Sequence, residues 1–337
     1  MTSALESPIT TPTAPERSGL PGWIRALLPV AGLVVVLGFF SLVLWLTGKP
    51  PILTLYNLQI IGQETAVVGM AALGMTLVII TAGIDLSVGS VISLVSVVIA
   101  VQLKGHTTPM LALAAGLAVA AACGLLNGGL ITAIKLPPFI VTLATLVIFR
   151  GLTEETTHSQ AVYPAHTWLN DLLNVPQGAH AWMLVAPGIW LLILMALLVE
   201  GMLRFTRFGR HVFAVGSNQQ TARLCGVNVK RVKLATYTLG ALFAGFAGVL
   251  QFAYGNGGDP TSAAGYELNV IAAVVIGGAS LNGGEGTILG SLVGALLMTV
   301  IDIGCSKMGM NTSREKIVTG LVILIAVSLD RLQHRRK

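Results

Sequence analysis

The chain has 337 residues, of which 54% are hydrophobic and only 10% charged, and its mean hydropathy is +0.82. A soluble domain carries about 25% charged residues, so this composition excludes one and indicates an integral membrane protein. The net charge of +6 is no nucleic-acid footprint, because Lys and Arg sit at span ends without interleaved aromatics, and Cys123, Cys225 and Cys305 form neither a disulfide framework nor a zinc motif.

Residues 1–22 are rich in Ser, Thr and Pro and read as a disordered cytoplasmic tail, leaving residues 23–337 as the membrane domain. Trp23 and Arg25 mark an interface, and 27–47 is the first span. It is no signal peptide, because the run is too long and Gly48-Lys49-Pro50-Pro51 offers no small-x-small cleavage site. Further apolar stretches follow at 64–81, 86–103, 109–133, 138–152 and 182–203, then at 234–254, 268–281, 286–303 and 316–329. The expectation is an all-α bundle of about ten transmembrane helices, eight at the least, some short or interrupted by Gly or Pro.

Charge supports that count. With the N-terminus inside, ten spans return the C-terminus to the same side. Both tails, Lys135 and the 204–233 loop then hold fourteen of the twenty Lys and Arg, as the positive-inside bias requires. Residues 154–180 become an external loop. Its Trp168, Leu169, Leu172 and Leu173 share a helical face, so it is either a short helix on the outer membrane surface or a plain re-entry loop. Small residues recur at every fourth position in Ala120-Gly124-Gly128, Gly240-Ala244-Gly248 and Gly286-Gly290-Gly294, and these read as helix-packing faces.

Two Gly-rich segments break apolar runs on the expected cytoplasmic side, one carrying Asp85 and Ser87, the other Asn282 and Glu285. Backbone that leaves a helix at membrane depth must be buried in protein or line a wet cavity. These are structural or gating loops, in which Asp85 and Ser87 either cap the next helix or meet substrate. At the Pro137-Pro138 break, Asn127, Phe139, Thr142 and Thr145 offer polar groups and an aromatic face. They either line a substrate path or bond within their own bundle.

The 204–233 loop carries seven basic residues and no acid. Ser217 and Gln220 have capping-box spacing, 219–224 favours helix, Gly226 suits the stop and Asn228 can cap the next span. A short surface helix is expected, serving either as a lipid anchor or as a protein-docking element. No phosphate loop and no HExxH motif occurs, and Glu64, Arg150, Glu200 and Asp302 fall near the ends of the expected spans. A transporter of this kind borrows its energy or runs downhill.

Four segments carry a resemblance: Gly74–Ser90, Asn127–Leu146 with Arg150-Gly151-Leu152, the basic loop, and Ile271–Leu297. In order and spacing they resemble the ribose-type permease subunits of bacterial ABC sugar importers. The resemblance implies a type II importer-like bundle in the bacterial inner membrane, working as a homodimer or heterodimer of permeases amid membrane lipid. It implies a cytoplasmic ABC ATPase and a periplasmic sugar-binding protein as partners, no nucleic acid and no metal. This chain would hold no cofactor and perform no hydrolysis, ATP-Mg belonging to the partner ATPase. Arg207, Arg210, Ser217, Asn218, Ala222, Arg223 and Gly226 would then couple to that ATPase, with Ala222 packed inwards on the contact face and the arginines at its rim. Thr153-Glu154-Glu155 and Asp302-Ile-Gly-Cys305 depart from the family pattern. That leaves ribose, galactose or galactofuranose, xylose, a polyol, autoinducer-2 and a nucleoside open as substrates. A stand-alone sugar facilitator with a lipid-anchoring loop is the alternative.

Overall fold

The computed structural model describes residues 22–175 and 183–334, so the expected tail lies outside the described residues except for Gly22. All regular structure among the described residues is helical. In chain order the helices are α1 (Gly22–Leu46), α2 (Leu55–Ile80), α3 (Val88–Lys104), α4 (Pro109–Ala133), α5 (Pro138–Thr157) and α6 (Pro187–Phe205). There follow α7 (Arg207–Ser217), α8 (Gln219–Leu224), α9 (Val229–Gly255), α10 (Tyr266–Ile276), α11 (Ile288–Lys307) and α12 (Thr312–His334). Each of the ten expected stretches falls on its own helix, although Trp182, at the start of one, lies outside the described residues. Six of these helices (α1, α2, α4, α6, α9 and α11) are long and apolar enough to cross a membrane. The figure of about ten spans is therefore not established. The eleven residues of α10 rise only about 16 Å, roughly half a hydrocarbon core.

The bundle is built around α2, which is buried over most of its length, with α9 and α11 beside it and α1, α4 and α6 exposing broad apolar faces. Apolar surface turned to lipid carries no penalty, so association depends on close packing. The three small-residue stripes supply it. A Cβ on Gly124 would sit 2.7 Å from the Tyr237 carbonyl oxygen, which brings α4 against α9 backbone to backbone. Gly240 faces Gly74 and Val78 of α2, Gly248 meets Ile92 of α3, and Gly290 and Gly294 lie on Gly277 and Ala273.

The 154–180 loop departs from the surface-helix expectation. Instead of a helix lying on the membrane, the described residues after α5 hold a 3₁₀ turn, Asn170–Leu173, plugged into the bundle. Leu169 and Leu173 are buried, whereas Trp168 stays half exposed. Gln63 donates to the Leu173 carbonyl, Asn170 to Asn256 at 3.4 Å, and Val162 pairs with Gly258. Leu173 packs against Gly188 of α6 beside Leu250 of α9, so it meets protein before lipid.

Candidate functional site

The two Gly-rich segments and the basic loop meet at one point. Gly216, near the end of α7, is pressed between the α2–α3 turn and the α10–α11 loop. A Cβ there would collide with the Ile80 carbonyl oxygen and the Gly284 amide. Those two groups hydrogen-bond to each other, Gly284 N–H donating to Ile80 C=O at 2.9 Å. In the α10–α11 loop, Gly278, Gly283 and Gly284 take φ values of +92°, +85° and +78°, which L side chains strain to adopt. Asn282 and Glu285 sit on its exposed side, with the Asn282 amide donating to Ser280 Oγ.

Below Ile80, the turn into α3 is tied by a buried polar knot. Asp85 Oδ1 accepts from the Ser87 amide at 2.8 Å and from the Ser87 hydroxyl at 2.6 Å. Ser87 Oγ in turn accepts from Asn127 Nδ2 of α4 at 2.9 Å. Thr142 of α5 and Tyr237 of α9 both donate to the Ile84 carbonyl, at 3.2 and 3.4 Å. Burial pushes the Asp85 carboxyl above its usual range, and the two bonds from Ser87 oppose that shift. Of the two proposed caps, Asp85 takes the amide, while Ser87 makes no cap bond because its backbone is already in the α region.

The basic loop folds as two helices. Asn218, not Ser217, caps α8, its Oδ1 accepting from Gln220 and Thr221 at 3.0 and 2.9 Å. Ser217 is absorbed as the last residue of α7, a helix the capping argument missed. Its signal was present, since Gly209, Val212, Val215 and Gly216 form one buried face with Arg207 and Arg210 opposite. Gly226 takes φ +81° at the stop, and Asn228 caps α9 through the Arg231 amide. Ala222 is 4% exposed because it packs into this chain's own bundle. The outward face of α8 belongs to Gln220, Thr221, Arg223 and Leu224, the last 89% exposed.

Of the Pro-break residues, Asn127, Thr142 and Thr145 are buried, and Phe139 is half exposed on the outer face of α5. Asn127 and Thr142 belong to the knot, while Thr145 bonds only the Thr142 carbonyl of its own helix. Several buried atoms have no hydrogen-bond partner: Asn127 Oδ1, Ser93 Oγ, Glu267 Oε2, and Nε and Nη2 of Arg150. Helix α5, which carries Arg150, packs on α3, and Glu267 lies against Gly89 of α3. Sequence reasoning missed Tyr237, Gly216 and Glu267, whose roles depend on contacts between distant elements.

Ionisable groups also lie deeper than expected. Since α2 begins at Leu55, Glu64 stands well inside it and accepts from Tyr254 at 2.9 Å. Asp302, within α11, accepts from Asn269 and Thr319. With carboxylates standing inside helices, their position is no argument against ion coupling. No cluster of metal-ligating residues occurs among the described residues.

The family described as "Branched-chain amino acid transport system / permease component" matches residues 57–327. The chain belongs to this family. The permease is 37% identical to the ribose import permease protein RbsC of Escherichia coli (strain K12) over 313 residues, 91% of this chain and 94% of that protein. It is 36% identical to the Bacillus subtilis (strain 168) protein of the same name, covering 95% and 97%. It is also 32% identical to the xylose transport system permease protein XylH of Escherichia coli (strain K12), covering 98% of each. By name, two of these relatives are ribose import permeases and the third is a xylose transport permease, in keeping with the resemblance to sugar-importer permease subunits. No solved structure matches the permease.

Proposed function

We propose that the permease is the membrane subunit of an ATP-driven importer for a monosaccharide or related small polar solute. It would sit in the inner membrane with both termini cytoplasmic, paired with a second permease copy. A separate ATPase supplies the energy, and a periplasmic binding protein delivers the sugar. The observation that carries this reading is the junction at Gly216. One element of the basic loop touches both turns that break the membrane bundle.

The contact is backbone on backbone, so it has little side-chain slack to absorb a displacement. A push on α8 travels along α7 to Ile80 and Gly284, then through Asp85, Ser87 and Asn127 to α4. Thr142 and Tyr237 extend the same linkage to α5 and α9. Closure of the ATPase would thus move α4, α5 and α9 together. The path for sugar runs between α3, α4 and α5, which pack on one another and carry Ser93, Asn127 and Arg150 in turn, each with a buried hydrogen-bonding atom that has no protein partner. A sugar hydroxyl both donates and accepts, so it suits such a row.

Because Ala222 is enclosed by its own chain, the docking face is the outward side of α8, centred on Leu224 with Arg207, Arg210 and Arg223 around it. Leu224→Asp should abolish pull-down of the partner ATPase and sugar-stimulated ATP hydrolysis in proteoliposomes, while thermal stability of the permease alone stays unchanged. The double change Arg207→Gln and Arg210→Gln should weaken both only modestly, since exposed ion pairs contribute about 0–1 kcal/mol each. A facilitator anchored to lipid predicts the reverse order, and that result would sink the docking reading.

A further inference from the structure

We propose that a furrow between α4 and α9 is a binding site for one anionic phospholipid, its phosphate on Arg231 and an acyl chain along the helices. The furrow has a volume of about 460 Å³ and is walled by Leu125 of α4, Phe208 of α7, and Leu234, Ala235 and Thr238 of α9. Its origin is the close approach of the two helices. Gly124 lies on the Tyr237 carbonyl and Gly128 on Leu234, so the axes meet along one line and leave a channel beside it.

Charge and polarity identify the occupant. The walls are apolar, and the Thr238 hydroxyl is spent on the Leu234 carbonyl at 2.8 Å. A sugar or nucleotide would find no hydrogen-bonding partners along such a wall. At the mouth stands Arg231, exposed and in neither of the ion pairs found among the described residues. The 204–233 loop around it holds no acid to neutralise it. From Arg231 to Leu239, the last lining residue, α9 rises about 12 Å, close to the depth of one leaflet of a ~30 Å core. A single cation above an apolar channel of that length complements a molecule with an anionic head and a hydrocarbon tail, as basic pockets between spans do elsewhere. The inference needs only the membrane character of the chain and is independent of the transport reading.

The test is native mass spectrometry of the purified permease in detergent with added phosphatidylglycerol or phosphatidylcholine. Wild type should retain one phosphatidylglycerol in preference to phosphatidylcholine. Arg231→Gln should weaken retention about fivefold, the factor expected of one lipid-facing charge, and Ala235→Phe, which fills the furrow, should remove both lipids. If Ala235→Phe fails to fold, Thr238→Leu narrows the same channel. Arg223→Gln, on α8, should leave retention unchanged, and glycerol phosphate alone should not displace the lipid. Equal losses for Arg223→Gln and Arg231→Gln would reveal general basic attraction and overturn the site. So would undiminished retention in the filled variants, displacement by glycerol phosphate, or no retention by wild type. None of these results touches the Leu224 docking experiment, so the two proposals fail separately.

Discussion

Gly216 is the residue where space, not chemistry, decides the outcome. An alanine there has no flexible neighbour to push aside, since both obstructing groups are backbone. Gly216→Ala should cost about 1–3 kcal/mol, the usual range for overpacking, and should lower sugar-stimulated ATP hydrolysis while ATPase pull-down persists. Gly201→Ala in α6, with open space around it, should be neutral or stabilising by up to about 1 kcal/mol. Equal Tm values for the two variants would remove Gly216 from the linkage. Asp85 offers a chemical counterpart. Asp85→Ala strands the Ser87 amide and hydroxyl at a cost of about 1–3 kcal/mol, whereas Asp85→Asn keeps an acceptor and discards a buried charge. The folded carboxyl titrates above its unfolded value, so its contribution is present below the unfolded pKa and lost as pH rises through the folded one. The Tm of Asp85→Asn relative to wild type should therefore climb from acid to neutral pH, and a flat difference would contradict the buried-charge account. Thr145→Val tests the path cleanly, because its hydroxyl bonds only its own helix. Slower uptake at unchanged Tm is expected, and unchanged uptake would return Thr145 to packing.

Among the elements, α7 and α8 show how local capping and distant packing divide the labour. Six residues are too few for an isolated helix to persist in water. What holds α8 is the Asn218 cap at one end, Gly226 at the other, and Ala222 seated in the bundle. Asn218→Ala should cost about 1 kcal/mol and speed hydrogen exchange at the Gln220 and Thr221 amides, with α9 unaffected. Ala222→Asp should lower the Tm of the permease by itself, since it forces a charge into the chain's own core. A normal Tm with lost ATPase binding would instead place Ala222 at the partner interface. For α10 the lesson concerns length. Its apolar stretch reads through to residue 281, but Gly277 and Gly278 end the helix early and turn the chain back towards Ile80.

The whole molecule is a set of helices ranked by burial, with α2 innermost and the lipid-facing helices outside. The sidedness proposed from charge can be tested at two exposed positions, Arg223 on the basic loop and Tyr163 on the 154–180 loop. In a background without Cys123, Cys225 and Cys305, a cysteine at 163 should react with an impermeant maleimide in intact cells and one at 223 should not. Reaction at 223 would invert the topology, and with it the assignment of the basic loop to the ATPase side.

Much of this protein is local and therefore legible along the chain. Apolar runs become helices because lipid forbids unpaired backbone, and glycine stripes become contacts because only hydrogen fits where backbones touch. The α8 boundaries and the Asn228 cap likewise follow from short-range bonding, although a choice between adjacent Ser217 and Asn218 depended on how far α7 would run. What only the tertiary structure decided were the meetings of residues distant in sequence: Gly216 with Ile80 and Gly284, Tyr237 with Ile84, and Glu64 with Tyr254. It also turned Ala222 and the 169–173 leucines inwards, each towards a groove built by other helices. Composition shows how apolar a side chain is, but whether lipid, a partner or the chain's own core receives it depends on which surfaces the fold leaves open.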